Sequence, residues 1–396
     1  MPLVFVHGVA TRPTAEYRAA IVQRDALFRS LVFGSQDIAI FNPDWGSAGV
    51  SFDAAMPWLP SADGNQAFGG DGVVAGATGD AVIRLGALAG RDAGQAIDLI
   101  AMAALDNAVR EAAGLHLPEA AAKGEAMALA LAAGTYLEQK GLVATSTPLP
   151  IDALTAPDNL AFADALEAEL AASKGDRQAF AVGNAVRNAL GHLAGLVGNS
   201  VSDLALKAKR RDLSRSVALF LGDIFVYLRG RDDVGPNGTR QRIFKPIVDA
   251  LIAACKAKSA SHEPLVVVGH SLGGVLLYDI LTDQEARASI ESQAGPIAID
   301  ALFTVGSQAG FFADLGLYPH RPQGGVKLPM PDGLASWMNV YDFTDVFSFR
   351  CGPMFEGVRD FGYDTVTDLM HAHSAYFQRP SFYKRMRSRL QEGGLL

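Results

Sequence analysis

The sequence predicts an α/β protein in which a parallel sheet is interrupted by a large helical region. Short runs of β-branched and aliphatic residues, such as Leu265–Val268, are typical of strands that are buried on both faces of a parallel sheet. Apolar patterns with helical spacing separate these runs, as an α/β fold requires. Between residues 47 and 215 the composition changes to alanine and glycine, which indicates a region of different structure.

Composition limits the class of protein and its partners. The chain has 396 residues, of which 49% are hydrophobic, enough for a large core. Its 34 basic and 42 acidic residues give a formal net charge of −8 without a long basic run, which argues against a nucleic-acid partner. Cys255 and Cys351 form neither a disulfide framework nor a metal-binding pattern. Leu3–Val6 is too short for a secretion signal and Ala126–Leu137 is too short to cross a bilayer, so we expect a cytoplasmic protein.

The N-terminal part of the chain is predicted to form the first elements of the sheet. These are a strand, an amphipathic helix and a second strand, over Pro2–Val6, Thr14–Val32 and Asp37–Phe41. The turn-forming residues Asn42–Gly46 end the second strand.

Residues 47–215 are predicted to be a helical insertion between two parts of one core, residues 1–46 and 216–396. Alanine-rich helical stretches lie near 81–112, 119–140 and 160–172, and a further helix runs from Asp176 to about Lys209. Glycine-rich turns such as Gly69–Gly72 suit hinges. A cap or lid over the active site is one interpretation of this insertion, and a helical layer packed away from the site is the other.

Beyond the insertion, helices and strands alternate again. The expected helices are Ser216–Leu228, Arg240–Lys258, the segment after Ser271, and Ser381–Leu390. For Ser216–Leu228 the periodicity also allows a strand. The expected strands are the run before Gly269, Ile297–Val305 and Ser336–Tyr341, with an irregular loop over Phe311–Gly333.

One segment of this half has the features of a nucleophile turn. A buried strand leads into Gly269-His270-Ser271-Leu272-Gly273-Gly274, and a helical pattern follows. Gly-x-Ser-x-Gly in this context forces the serine into a strained conformation, and glycine at positions 269 and 273 removes side chains that would collide with it. The hydroxyl of Ser271 then stands at the positive end of a helix, where negative charge on a substrate oxygen is favoured.

On this Gly-His-Ser-Leu-Gly-Gly segment the chain resembles the α/β-hydrolases, in particular the lipase-like serine esterases. The resemblance covers Met1–Gly46 and Ser216–Leu396, whereas the insertion matches no family. The sheet of this family usually has extra strands ahead of the His-Gly strand with which this chain begins. The resemblance therefore implies an α/β-hydrolase fold with a reduced, mostly parallel sheet of about six strands.

The resemblance also implies a catalytic triad, because a serine hydroxyl needs a base, and the base needs a carboxylate that orients it. In this family the order along the chain is Ser, then Asp or Glu, then His. Downstream of Ser271 the chain offers Asp342 or Asp345, and then His371 or His373. The family's Asp-x-apolar turn favours Asp345, and its His-Ser-x-Tyr motif favours His373. The other member of each pair stays an alternative, with a structural role if it is not the catalytic one.

Two backbone N–H groups are expected to bind the oxyanion. By resemblance these belong to Leu272, after the nucleophile, and to Val9, after the first strand, with Gly8 as the alternative. His270 is expected to point away from the reacting centre.

The predicted function is the hydrolysis of a carboxylic ester, on a small-molecule or lipid substrate, without a cofactor. Two alternatives remain: a thioesterase or amidase that uses the same triad, or a catalytically idle module that presents the insertion to a partner. The basic run Lys207–Arg211 fits a solvated helix end, where cations suit the dipole, or a transient contact with anionic lipid at a membrane surface.

Overall fold

A computed structural model describes residues 1–34, 37–52, 93–114, 124–141, 203–318, 326–365 and 372–396, with a few single positions between them. Its centre is a six-stranded, all-parallel sheet in the order β2-β1-β3-β4-β5-β6. The strands are β1 (Leu3–Val6), β2 (Ile40–Phe41), β3 (Val266–His270), β4 (Ala301–Val305), β5 (Trp337–Tyr341) and β6 (Val358–Gly362). The predicted α/β class and the parallel sheet are therefore confirmed.

Helices cover both faces of this sheet. They are α1 (Ala15–Leu27), α2 (Ala93–Gly114), α3 (Glu125–Gln139), α4 (Asp203–Gly230), α5 (Thr239–Ser261), α6 (Leu272–Thr282), α7 (Gln284–Ala294), α8 (Ala309–Asp314), α9 (Ala372–Ala375) and α10 (Pro380–Glu392). Among the described helices, none combines the length and the apolar composition that a bilayer crossing needs.

The strand pattern explains why both faces are covered. Successive side chains of a strand point to opposite faces, so a strand that is apolar throughout must be buried on both. In β3, Val266 and Val268 pack in a core with α1, α2, α3 and α10, whereas Val267 packs in a second core with α5, α6 and α7. All three valines are fully buried.

The strand order reverses beside the middle of the sheet. From β1 the chain goes first to β2 on one side and later to β3 on the other, so β1 and β3 are neighbours. In open parallel sheets, ligands bind at the carboxyl ends of the strands where the order reverses. Gly8 follows the end of β1 and Ser271 follows β3, so both lie at this switch point.

Two helices of the region 47–215, α2 and α3, are built into the core. Ile100, Leu105, Ala130 and Ala133, from α2 and α3, are fully buried against the sheet layer that also holds α1 and α10. The hinge at 69–72 lies outside the described residues, and the stretch 160–172 is described only at single helical positions. Whether the remainder of this region acts as a cap stays a prediction.

Among the described elements, β6, α7, α8 and α9 were not predicted. The edge strand β6 has the sequence Val-Arg-Asp-Phe-Gly and is only partly buried, so it lacks the continuous apolar run of the inner strands. Helix α7 is framed by an N-cap aspartate, Asp283, whose side chain accepts from Ala286 N, and by Gly295 after its last turn. These capping residues are a recognisable sequence pattern. The predicted irregular loop also begins with the short helix α8.

Candidate active site

Ser271 occupies a strained turn between β3 and α6. Its φ of 53° and ψ of −127° are unusual for a residue with a side chain, and such a conformation costs on the order of 1–3 kcal/mol. A Cβ on Gly269 would lie 2.8 Å from the Gly274 Cα, and a Cβ on Gly273 would lie 2.3 Å from the Val6 carbonyl oxygen. We predicted that these side chains would collide with the serine. Instead they would collide with the backbone of α6 and of β1, which pack closely around the turn.

Two of the favoured residues line up with Ser271 in a continuous hydrogen-bond chain. His373 Nε2 lies 2.8 Å from Ser271 Oγ, and His373 Nδ1 lies 2.9 Å from Asp345 Oδ2. Because a carboxylate only accepts, Nδ1 carries the proton and Nε2 is left to accept from the serine hydroxyl. Ser271 is fully buried and Asp345 is 2% exposed, so solvent does not screen these contacts.

The carboxylate of Asp345 has further donors that hold it in place. Phe347 N–H lies 3.0 Å from Oδ1, and the Tyr376 hydroxyl donates to Oδ2 at 3.0 Å. Burial, and then the negative charge of Asp345, raise the pKa of Tyr376, so its hydroxyl keeps the proton that it donates.

Asp342 is as deeply buried as Asp345 but faces the backbone. It accepts from Thr344 N at 2.8 Å and from Thr365 N at 2.7 Å, and from both threonine hydroxyls. Asp342 therefore closes a turn, which is the structural role foreseen for the second aspartate. The alternative histidine, His371, lies outside the described residues.

The expectation that His270 points away from the site is wrong. Its Nε2 lies 2.7 Å from the backbone oxygen of His373, and the two rings are 5.0 Å apart. Burial, and then the nearby His373, lower the pKa of His270 to about 3, so the ring is neutral and Nε2–H donates to the carbonyl. His270, which precedes Ser271, thus supports the backbone of His373.

Gln308 is a site residue that the sequence did not reveal. Its Oε1 lies 3.3 Å from Ser271 Oγ, while Nε2 donates to Gly306 O at 3.2 Å and to Phe347 O at 2.7 Å. Two carbonyl partners fix the amide orientation, so the oxygen must face the serine. Gln308 follows β4. Its partners Ser271 and Phe347 are 37 and 39 residues away, so no local pattern could indicate its place in the site.

Leu272 and the turn Gly8-Val9 lie beside Ser271. Leu272 is the first residue of α6, so its N–H is among those without an acceptor inside the helix. A Cβ on Gly8 would lie only 2.6 Å from Ser271 Cβ, which requires glycine at this position. The two predicted oxyanion donors therefore belong to segments that adjoin Ser271.

Asp223 of α4 holds the loop that follows β1. Its carboxylate accepts from Ala10 N at 2.7 Å, from both terminal nitrogens of Arg12, and from Val50 N at 2.7 Å. Ala10 has a positive φ of 57°, so the loop is strained and needs such restraint. We call Asp223, Ala10, Arg12 and Val50 the Asp223 cluster.

His7 also supports the loop that follows β1. Its ring stacks on Trp45 at 5.1 Å, and Nδ1 lies 2.9 Å from the Gly8 oxygen, to which it donates. Burial lowers the pKa of His7 to about 4, so this histidine is neutral as well.

Apolar side chains surround the imidazole of His373. The rings of Phe220 and Phe347 lie 5.8 Å and 5.6 Å from it, and 4.3 Å from each other. Next to Phe220, α4 borders an apolar groove of about 430 Å³, lined by Leu221, Phe225 and their neighbours.

Comparisons with known proteins add no assignment. A scan against protein-family models gave no match, and searches of curated proteins and of solved structures found no similar protein. Within the described part of the chain, no three His, Cys, Asp or Glu side chains are grouped as a metal site requires. Any functional argument therefore depends on the geometry of the chain itself.

Proposed function

We propose that the protein is a serine hydrolase of the α/β-hydrolase type that cleaves a carboxylic ester. The observation that carries the proposal is the hydrogen-bond chain from Ser271 through His373 to Asp345, which starts at a strained strand-to-helix turn. A positioned base and an orienting carboxylate are what a serine hydroxyl needs to become a nucleophile.

In the acylation step, Ser271 Oγ attacks the ester carbonyl while His373 Nε2 takes its proton. The resulting negative oxygen is bound by the backbone N–H groups of Leu272 and Val9. Asp345 stays ionised and stabilises the imidazolium. When the tetrahedral intermediate collapses, the C–O bond to the alcohol breaks and His373 returns the proton to the leaving oxygen.

In the second step, water attacks the acyl-serine. His373 takes a proton from the water and then gives it to Ser271 Oγ as the carboxylic acid departs. The water supplies the new oxygen atom, so the cycle needs no cofactor. The position of the site at the switch point of the sheet and the apolar groove on α4 support this assignment.

The decisive variant is Ser271→Ala. We expect it to lower kcat for p-nitrophenyl esters by about 10⁴-fold or more, with an unchanged circular-dichroism spectrum, and to abolish labelling by a fluorophosphonate probe. Ser292→Ala, at an exposed serine of α7, is the matched control and should keep full activity. Turnover that survives in the Ser271 variant, or a probe that labels another residue, would contradict the assignment.

A panel of substrates shows which type of acyl bond the protein cleaves fastest. Esters from acetate to long acyl chains are compared with a thioester and an anilide of the same acyl group. The ester proposal requires the highest kcat/KM for an ester, whereas a thioester or anilide preference would replace it with the corresponding activity on the same triad.

A further inference from the structure

A second cavity lies between α10 and the edge of the sheet. It has a volume of about 210 Å³ and lies under β4, β5 and β6. Its apolar walls are formed by Phe303, Val340, Phe361, Phe382 and Met386. An engineered apolar cavity of about 150 Å³ holds benzene, so this space suits an apolar group of about eight heavy atoms.

The rim of this cavity is basic. The guanidinium of Arg385 lies over the Tyr363 ring, 5.1 Å from its centroid, and that of Arg389 lies over Phe361 at 4.8 Å. Both arginines line the cavity and are half-buried, and the neighbouring Gly362 is exposed, so the rim is open to solvent. A ligand can therefore place its apolar part inside and its polar group at the arginines.

One nitrogen of the half-buried Arg385 guanidinium lacks a hydrogen-bond partner in the part of the chain that the structure describes. Its Nε is buried, and among the described residues no acceptor lies within hydrogen-bonding distance. Arg389, in contrast, is paired with Glu392 at 2.5 Å. A buried donor without an acceptor is costly, and a bidentate carboxylate satisfies a guanidinium well. Arg389 thus has a carboxylate partner on its own helix, whereas Arg385 Nε has none in the described structure, so a single carboxylate at the rim would meet the unsatisfied donor of Arg385.

We propose that this cavity binds a medium-chain carboxylate, such as octanoate, with its alkyl chain among Phe303, Phe361 and Met386 and its carboxylate on Arg385. The seven alkyl carbons of octanoate match the size of the space. This site is separate from Ser271, and the proposal does not depend on the hydrolytic activity. Tyr363 and Phe382, which line the cavity, pack 6.0 Å and 6.5 Å from Tyr376, so the two sites share one aromatic neighbour.

Titration calorimetry on the full-length chain with octanoate, octyl phosphate and 1-octanol tests the proposal. All titrations use Ser271→Ala as well as the wild type, so that binding is measured independently of turnover. We expect one octanoate per chain at the cavity, with affinity at least tenfold higher than for 1-octanol. Tighter binding of octyl phosphate than of octanoate would overturn the assignment to a carboxylate.

Three variants locate the binding. Arg385→Met keeps the length of the side chain and should weaken octanoate at least tenfold while leaving 1-octanol unchanged. Met386→Trp fills the cavity and should weaken both ligands. Lys384→Met removes one charge from the same helix at a residue paired with Glu138, so it should change neither affinity. Octanoate that binds equally to the wild type and to the Arg385 and Met386 variants, or that does not bind at millimolar concentration, overturns the proposal.

Discussion

Two buried aspartates each join distant parts of the chain, but one lies within the core and the other holds the loop that neighbours Ser271. On α2, Asp98 pairs with Arg379 and accepts from the Ser381 backbone at 3.0 Å and the Ser381 hydroxyl at 2.7 Å. We call these three residues the Asp98 cluster. The side chains of Asp98 and Arg379 are each 1% exposed, so the pair ties α2 to the start of α10 inside the apolar layer.

The Asp223 cluster uses the same arrangement at a different place. The Asp223 side chain is 0% exposed, but its partner Arg12 keeps 24% of its surface. What it holds is a loop whose Gly8 contacts Ser271. A buried carboxylate with several donors thus serves stability where it joins helices. Where it holds a loop that neighbours Ser271, such a carboxylate positions the backbone of that loop. Substitutions in the Asp98 cluster should therefore lower mainly the free energy of unfolding. Substitutions in the Asp223 cluster should lower mainly kcat/KM.

The largest effect is expected in the loop after β5, which carries a second pair of buried aspartates. Asp345 faces His373, whereas Asp342 accepts from backbone N–H groups. Asp345→Asn should lower kcat by about 10⁴-fold, because the amide no longer holds the productive tautomer of His373. Asp342→Asn is the matched control. It should lower the free energy of unfolding and leave kcat within about tenfold, because Asp342 closes a turn and accepts from Thr365 rather than facing His373. The assignment of the acid reverses if Asp342→Asn is the inactive variant while remaining folded.

The second prediction concerns the Asp98 cluster. Asp98→Ala removes the carboxylate that pairs with the buried Arg379 and should lower the free energy of unfolding by about 3–5 kcal/mol in urea denaturation. The kcat of the folded fraction should change little. Glu138→Ala breaks an exposed ion pair between α3 and α10 and should cost less than about 1 kcal/mol. Equal losses in the two variants would show that α2 is not anchored by this pair.

The third prediction is a loss of stability in acid. The folded-state pKa values of His7 and His270, about 4 and about 3, lie below the ordinary 6.5, so folding favours the neutral rings. Their contribution is complete above about pH 6.5 and is lost as the pH falls from there towards the folded-state values, because the unfolded chain takes up the protons. A pKa that is lower by one in the folded state corresponds to about 1.4 kcal/mol of stability. The free energy of unfolding should therefore fall by several kcal/mol.

The slope of the unfolding free energy against pH checks this. Between pH 6.5 and 4 the slope should be smaller in His7→Gln than in the wild type, whatever the absolute stability of the variant. His262→Asn removes an exposed histidine and should keep the wild-type slope. An unchanged slope in His7→Gln would mean that this ring is not held neutral.

The smallest expected effect is at the Asp223 cluster. Asp223→Asn puts an amide NH₂ among four donors and should release the loop after β1, which lowers kcat/KM by about 10- to 100-fold through misplacement of an oxyanion donor. The control is Asp279→Asn. Asp279 is also a buried aspartate paired with an arginine, Arg231, which directly follows α4, and it accepts from Tyr227 in the last turn of α4. If both variants lose the same activity, the effect is general loosening of α4 rather than positioning of the loop.

Local patterns were sufficient for much of the fold and for part of the site. The inner strands and the helices around them follow from apolar runs and helical spacing, and the nucleophile turn follows from sterics within a few residues of Ser271. The edge strand β6 escaped because an edge strand carries charges where an inner strand must be apolar. The core position of α2 and α3 escaped as well, because an alanine-rich helix has the same sequence whether it covers a sheet or a site.

By itself the sequence determined the α/β class, the parallel sheet and the strained turn at Ser271, since each depends on residues that are near neighbours in the chain. Only the tertiary structure decided which acid faces His373, that His270 supports the histidine backbone, and that Gln308 and Asp223 belong to the site. The ring of His373 meets Asp345 across 28 residues, and Asp223 meets Arg12 across 211. Contacts over such separations depend on how whole elements pack, and no local pattern of residue types records that packing.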